Sequence, residues 1–386
     1  MRIGLVLAAT PPYSETFFRN KIRILKEQGY EVVLLVDKQK GQFDACPVKI
    51  GFSATAGPMA WLLVLWRLLT NPWRAWTLFR ANQQDGFSLK KNWTSLLTSA
   101  HILNEKLDWL HFGFASIGIG RENTAAAIGA KMAVSVRGSD LHVYPLEHPG
   151  CYTLLWKRID RLHTISHYLL SLAKNLGFNA EQKSVRIITP AIDTHFFQAQ
   201  LIRKPQTPIK LITVARLHWI KGIEYIIEAV HYLKKQGIAV EYHLIGEGEE
   251  YKRLYFGVHQ LGLHEQVIFH GKKSHEAINT ALAEADVFIM YSLDEGFCNS
   301  VLEAQAMGCL CVVSDNPALM ENVIHQETGW VVPRRNAPEL AETIRQIIQM
   351  NESEKQLIRQ KAITRVQEQF NLLVQKQQFI RFYEEN

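Results

Sequence analysis

Residues 3–36 read IGLVLAATPPYSETFFRNKIRILKEQGYEVVLLV. Positions 3–8 are an apolar run without alternation. Positions 16–28 then place Phe17, Phe18, Ile22 and Leu25 on one helical face, Gly29 stops that pattern, and 32–36 are apolar again. This is a strand, a helix and a second strand. Strands apolar on both faces belong to a parallel sheet covered by helices on both sides.

The alternation continues outward from this unit. Further strands are expected at 109–111, 132–136, 162–165 and 185–188, with helix-length segments between them. The stretch 190–208 holds three prolines and no sustained period, which marks a linker. The pattern then restarts, with strands expected at 209–215, 239–245, 267–269, 287–289 and 310–314 and helices at 223–235 and 249–261. A polar, helical tail over 353–383 keeps Phe370, Leu373, Phe379 and Phe382 available for docking. A chain of 386 residues is long enough for two domains, each with its own core. The fold expected is α/β, with two parallel-sheet domains facing a cleft.

Composition narrows the function. Apolar residues make up 47% and charged residues 21%, which excludes a disordered or collagen-like chain. No apolar stretch approaches the roughly 18 residues a membrane span needs. The N-terminus enters a strand directly where a secretory signal would show a longer apolar helix, so a cytoplasmic location is expected. Cys46, Cys151, Cys298, Cys309 and Cys311 form an odd set with no Cys-x-x-Cys pair, and reduced, mostly buried thiols are expected. The formal charge of +6 admits an anionic substrate, a nucleic acid or an acidic membrane.

Several chemistries lack their residues. The first strand leads into Ala8, Ala9, Thr10, Pro11 and Pro12, with no Gly-x-Gly-x-x-Gly, and proline has no N–H to offer a pyrophosphate. No Walker loop, nucleophile elbow or Asp-x-Asp occurs. His163 and His167 have Thr164 where a zincin has glutamate and read as packing residues. No cofactor or metal is expected, so an anion would be met by protein cations and helix N-termini.

Two segments supply them. In 214–223, VARLHWIKGI, Arg216 follows a buried strand and Lys221 precedes a helix, at the sheet edge where open α/β folds take ligands. In 294–308, DEGFCNSVLEAQAMG, the strand before it feeds a loop and a helix whose first amides lie near Asn299–Val301. Such an N-terminus suits phosphate. Glu295 in the loop and Glu303 in the first turns of the helix would face one crevice.

Together, Arg216 with Lys221 and Glu295 with Glu303 resemble the nucleotide-sugar site of the family 4 retaining glycosyltransferases, which have the two-domain GT-B fold. Further resemblances to the bacterial exopolysaccharide and lipopolysaccharide (colanic-acid type) members span nearly the whole chain. Ser14, Glu15, Thr16 and Phe17 are similar to their first loop, His111, Phe112 and Gly113 to their mid-domain turn, and Pro190–Asp193 to their interdomain signature.

The resemblance implies two Rossmann-like domains: an acceptor-binding domain over 1–192, a linker over 193–208 and a nucleotide-sugar domain over 209–365. A C-terminal helix, 366–386, would return to the first domain. Arg216, Lys221 and Glu295 would be catalytic, the two cations neutralising the donor diphosphate in place of a metal. Glu303 would bind ribose, and the backbone of Phe297, Cys298, Asn299, Ser300 and Val301 would touch the sugar and distal phosphate. Gly246 and Gly248 would let the backbone pass close to the nucleotide. Lys272 and Ser274 would border the base. Ser14, Glu15, Thr16, His111 and Asp140 would lie on the acceptor side. Where the family commonly has His-Gly-x-Asp, this chain has Arg137, Gly138, Ser139 and Asp140. Arg137 either contacts the donor or pairs with Asp140. The implied reaction transfers a sugar from a UDP- or GDP-sugar to a glycan or lipid-linked acceptor, by front-face attack or through a covalent intermediate.

Five of the nine tryptophans lie in 61–93 with Arg67, Arg74, Arg80, Lys90, Lys91 and the single acid Asp85. This mixture suits an anionic membrane surface on the inner face, an electrostatic contact that salt should weaken. Two other readings share the architecture: a nucleotide-sugar epimerase, which lacks the Arg216–Lys221 pattern, and an inactive binding subunit, against which the intact site residues speak. No nucleic-acid motif is present.

Overall fold

A computed structural model describes residues 1–11, 16–52, 57–199 and 207–385. The chain forms two compact units, Met1–Ile188 with Lys376–Asn386, and Thr189–Gln375.

The first unit is built on a parallel sheet of β1 (Arg2–Ala9), β2 (Glu31–Lys38), β3 (Val48–Ile50), β4 (Trp109–Phe112), β5 (Lys131–Val136), β6 (Arg161–Thr164) and β7 (Ser184–Ile187), in the order β3-β2-β1-β4-β5-β6-β7. Leu5 sits opposite Leu34 on one side and His111 on the other. The apolar runs of β1 and β2 are buried throughout their centres, as both-face coverage requires. Helix Thr16–Glu27 lays Phe18, Ile22 and Leu25 on this sheet. It ends because Gly29 takes a φ of 84°, which lets the Tyr30 N–H reach the Leu25 carbonyl at 3.1 Å.

The second unit has a six-stranded parallel sheet: β8 (Ile209–Val214), β9 (Val240–Ile245), β10 (Val267–Gly271), β11 (Val287–Met290), β12 (Leu310–Ser314) and β13 (Trp330–Val332), in the order β10-β9-β8-β11-β12-β13. Its core joins Leu211, Tyr242, Leu244, Ile289 and Val312 to the amphipathic helix Ile223–Lys235 through Ile226, Ile227 and Val230. The edge strands β3 and β13, three residues each, carry too little pattern to be read from sequence.

Two expectations change here. The tail is two helices, Glu352–Gln369 and Leu372–Glu384, because the Asn371 side chain caps the second by accepting from Leu373 and Val374 N–H at 2.9 Å. The first helix packs on helix Asn299–Ala306 in the second unit, and the return to the first unit begins only at Lys376. There Phe379, Phe382 and Tyr383 complete the core around β1 and β4. Of the expected linker, residues 193–199 pack within the second unit: Phe197 is buried, and Asn279 Nδ2 donates to the Phe196 carbonyl at 2.7 Å. Positions 200–206 lie outside the described residues. All five cysteines are free thiols, four of them buried.

Candidate functional site

Five strands of the second unit, β8 to β12, discharge loops at one carboxyl edge, and nearly every expected donor residue lies on those loops. The β8 loop is held from both sides. The Leu217 N–H donates to the Glu247 carbonyl at 3.0 Å, and the Leu293 N–H donates to the Ile220 carbonyl at 2.7 Å. Gly222, at a φ of 57°, passes so close to the Tyr291 carbonyl that a Cβ would stand 2.3 Å from it. The loops after β8, β9 and β11 are thus one backbone-bonded assembly.

This assembly brings Lys221 and Glu295 into direct ionic contact, and Ser292 Oγ donates to the same carboxylate oxygen at 3.1 Å. Burial pushes the Lys221 ammonium down, but the Glu295 carboxylate more than offsets this, so its pKa stands above the ordinary lysine value. Lys221 is a fixed cation, and Arg216 on the same loop is exposed.

Helix Asn299–Ala306 follows, with Cys298 at its N-cap and no side-chain cap bond, so the amides of its first turn are not spent on a capping side chain. The loop entering it is pinned by the fully buried Asn322, which donates to the Cys298 carbonyl at 3.1 Å and accepts its N–H at 3.2 Å. The Phe297 side chain packs on Phe370, the Cys298 thiol is buried and approaches Ser300 Oγ at 3.3 Å, and Val301 is buried. These residues therefore present backbone to the edge. Glu303, in the next turn, has its pKa pushed up to about 7 by burial.

The glycines make a close approach within the protein. Gly246, at a φ of 148°, would set a Cβ 1.8 Å from the Ala215 carbonyl, and Gly248 would set one 2.2 Å from the Leu217 carbonyl. Their missing side chains admit the Arg216 loop. Lys272 is exposed and pairs with Glu247 at 3.8 Å, while Ser274 Oγ caps the helix His275–Glu284 by accepting from Ala277 N–H.

The residues assigned to the acceptor side fare differently. His111 is wholly buried, with Nδ1 2.6 Å from Tyr383 Oη and Nε2 2.8 Å from Ser135 Oγ, so its ring belongs to the core. Asp140 is also buried, its carboxylate accepting from Ser116 Oγ at 2.9 Å and from the Ser116 and Arg137 backbone N–H groups at 3.2 Å. The Arg137 guanidinium stacks over the Phe17 ring at 3.6 Å. The Asp140 N–H in turn donates to the Arg137 carbonyl at 3.1 Å, so backbone bonds run both ways between the two residues. Ser14 and Glu15 lie outside the described residues, and Thr16 opens helix Thr16–Glu27.

Sequence reasoning missed Ser292 and Asn322, which orient the loop on either side of Glu295. A lone serine after a strand and an asparagine near a helix end carry no pattern. A cavity of about 910 Å³ in the first unit, bordered by Asp85, Glu122, Lys91 and His148, contains none of the expected donor residues. The chemistry favours the sheet edge, where cations, carboxylates and open amides converge.

Residues 196–363 match the family described as "Glycosyl transferases group 1". A putative colanic acid biosynthesis glycosyltransferase, WcaL of Escherichia coli K12, is 26% identical over 96% of both chains. The amylovoran biosynthesis glycosyltransferase AmsK of Erwinia amylovora is 29% identical over 60% of this chain and 58% of its own. Among solved structures, a glycosyltransferase from Rickettsia africae superposes with a TM-score of 0.74 at 16% identity, covering 100% of this chain and 98% of its own. Anabaena HepE in complex with UDP-glucose gives 0.72 at 16% identity, over 99% and 98%.

Proposed function

We propose that this chain, a glycosyltransferase of group 1 by its residues 196–363 and of GT-B type by its fold, moves a sugar from a nucleotide-diphosphate sugar to a glycan or lipid-linked acceptor with retention of configuration. The observation that carries the reading is the convergence of Lys221, Glu295 and the open amides of helix Asn299–Ala306 at one sheet edge. A diphosphate seated there meets the helix N-terminus, Lys221 and Arg216, while Glu295 accepts from hydroxyls of the donor sugar and Glu303 from those of the ribose. When the anomeric C–O bond breaks, its electron pair leaves with the phosphate oxygen. The two cations are already in place to meet that charge. In front-face attack, the acceptor hydroxyl bonds to the anomeric carbon from the same side, and its proton passes to the departing phosphate oxygen.

The colanic acid and amylovoran names of the relatives support a role in exopolysaccharide assembly, and we assign acceptor binding to the first domain. UDP is the first nucleotide to test, given the UDP-glucose in the HepE structure. A lipid-linked acceptor would bring the enzyme to the inner membrane face, and we assign that contact to residues 61–93. No helix among the described residues is long and apolar enough to cross a membrane.

Thermal unfolding with UDP- and GDP-sugars tests the reading, because a true donor stabilises the folded state by mass action. One donor should raise the melting temperature of the wild type and fail to do so in Lys221→Ala. No shift with any of these sugars, or with free UDP and GDP, would defeat it.

A further inference from the structure

The loop that carries Glu295 is clamped by three residues that no functional pattern in the sequence singles out. Three consecutive positions of that loop are bonded. The Ser292 carbonyl accepts from Ser314 Oγ at 2.5 Å, the Leu293 carbonyl from Arg334 Nη1 at 2.9 Å, and the Asp294 carboxylate from Asn316 Nδ2 at 3.0 Å. Ser314 ends β12, Asn316 lies two residues beyond it, and Arg334 lies two residues beyond the end of β13.

Asn316 is fully buried, and its amide fits in one orientation only. Oδ1 accepts the Ala318 and Leu319 N–H groups at 2.9 and 3.4 Å, which caps helix Pro317–Asn322 and leaves Nδ2 to face the Asp294 carboxylate. The same Asp294 oxygen accepts the Glu295 N–H at 3.0 Å. Two hydrogen bonds in series therefore connect a helix cap to the backbone of Glu295. Arg334 braces the preceding residue. Its backbone N–H and its Nε both donate to Asp315 Oδ1, at 3.0 and 2.8 Å, and this aims Nη1 at the Leu293 carbonyl. A lysine has no planar fork with which to serve both partners.

We propose that Asn316 and Arg334 are positioning residues for Glu295: by fixing the backbone of 292–294 they set where its carboxylate stands against the donor sugar. The inference rests on the reading of Glu295 as the group that accepts from donor-sugar hydroxyls. Displacing the carboxylate loosens the hold on the sugar more than the hold on the diphosphate, which falls to Lys221, Arg216 and the amides of helix Asn299–Ala306. A misplacement of about 1 Å is enough to matter for a group that must meet a reacting sugar.

The test uses the full chain with Asn316→Asp, an isosteric change that keeps the oxygen capping helix Pro317–Asn322 and turns a carboxylate oxygen toward Asp294. Calorimetric titration with UDP-glucose and with UDP reads the two holds separately. Affinity for UDP-glucose should fall by at least about tenfold and affinity for UDP by no more than about threefold. Asp294→Asn in the same chain removes the repulsion and should recover most of the loss, and Arg334→Lys should give the same split between the ligands. Equal losses with both ligands, or an unchanged affinity for UDP-glucose, would overturn the proposal. A second measurement needs no ligand. Asn316→Ser keeps a capping hydroxyl on a side chain one bond too short for Asp294, and with Glu295→Gln it should be non-additive in urea unfolding, because both changes act on one braced loop. Additive effects would overturn the proposal as well. A wild type that binds neither UDP-glucose nor UDP would count against the donor reading, and the unfolding cycle would then decide the positioning by itself.

Discussion

The Lys221 ammonium rests on the Glu295 carboxylate, although the two residues leave different strands and lie on separate loops of the β8–β11 edge. Both side chains are largely buried, so removing one partner strands the other charge in a poorly solvated place. Lys221→Ala is expected to lower kcat by about 10²–10³, the usual cost of one lost electrostatic contact to a developing oxyanion. It should also destabilise the fold by about 1–3 kcal/mol. Glu295→Gln in the same chain should restore part of the stability and none of the turnover. Steady-state kinetics and urea unfolding of the wild type and the two variants check this, and wild-type turnover in Lys221→Ala would remove Lys221 from the chemistry.

Glu303 gives a pH signature. Its folded pKa is about 7 against 4.5 in the ordinary state, so between those values the folded state holds a proton that the unfolded state has released. Stability contributed by this group therefore falls as pH rises from about 4.5 to 7 and stays low above it, by at most about 3 kcal/mol. Glu303→Gln is expected to melt higher than wild type at pH 8, to match it near pH 5, and to lose donor stabilisation. Equal melting temperatures for both proteins at pH 8 would contradict this account of the site.

What sequence could and could not reveal follows from how local each signal is. Strands β1, β2 and β8 were legible because a buried parallel strand is an uninterrupted apolar run, and helix Thr16–Glu27 because Phe18, Ile22 and Leu25 recur on one face. Lys221 and Glu295 could each be placed at the sheet edge by their offset from a strand end, but their ion pair could not, because it joins two loops distant in sequence. His111 was not legible, because a ring facing a ligand and a ring facing the core leave the same short motif. The group that closes over it, Tyr383, is 272 residues away. Gly246 and Gly248 announced a close approach, but only the tertiary structure identifies the Ala215 and Leu217 carbonyls as what approaches.

Those glycines make the packing testable apart from the chemistry. Gly248 has no left-handed backbone requirement, so Gly248→Ala adds one methyl against the Leu217 carbonyl and nothing else. The clash is with backbone, which cannot rotate away, and about 1–3 kcal/mol of destabilisation is expected. Because Arg216 precedes Leu217, donor affinity should fall in the same variant. Chemical unfolding with nucleotide-sugar titration checks both, and unchanged values would mean that the loops move apart freely.

The docked C-terminal helix closes a buried basic network that links Lys21, His111, Ser135 and His163. Lys21 Nζ lies 3.2 Å from His111 Nδ1 and 4.9 Å from the Phe379 ring centre, and Ser135 Oγ bridges to His163 Nδ1 at 2.7 Å. Burial first, and neighbouring cations second, hold the Lys21 ammonium and both imidazoles well below their ordinary pKa values. The unfolded chain thus takes up protons that the folded chain refuses. Stability should fall as pH drops through about 6.5, where free histidines protonate, and rise with alkaline pH toward about 10.5, where the free lysine loses its charge. Lys21→Met keeps an unbranched chain against Phe379, Phe382 and Tyr383 while deleting the group that titrates. It is expected to raise the melting temperature at pH 7 and to flatten the climb between pH 8 and 10, leaving the acid-side fall in place because the histidines remain. Thermal melts across pH read all three effects. If Lys21→Met instead lowered the melting temperature and exposed the helix Leu372–Glu384 to protease, the lysine would be a bond that holds the helix down and not a buried charge that the fold tolerates.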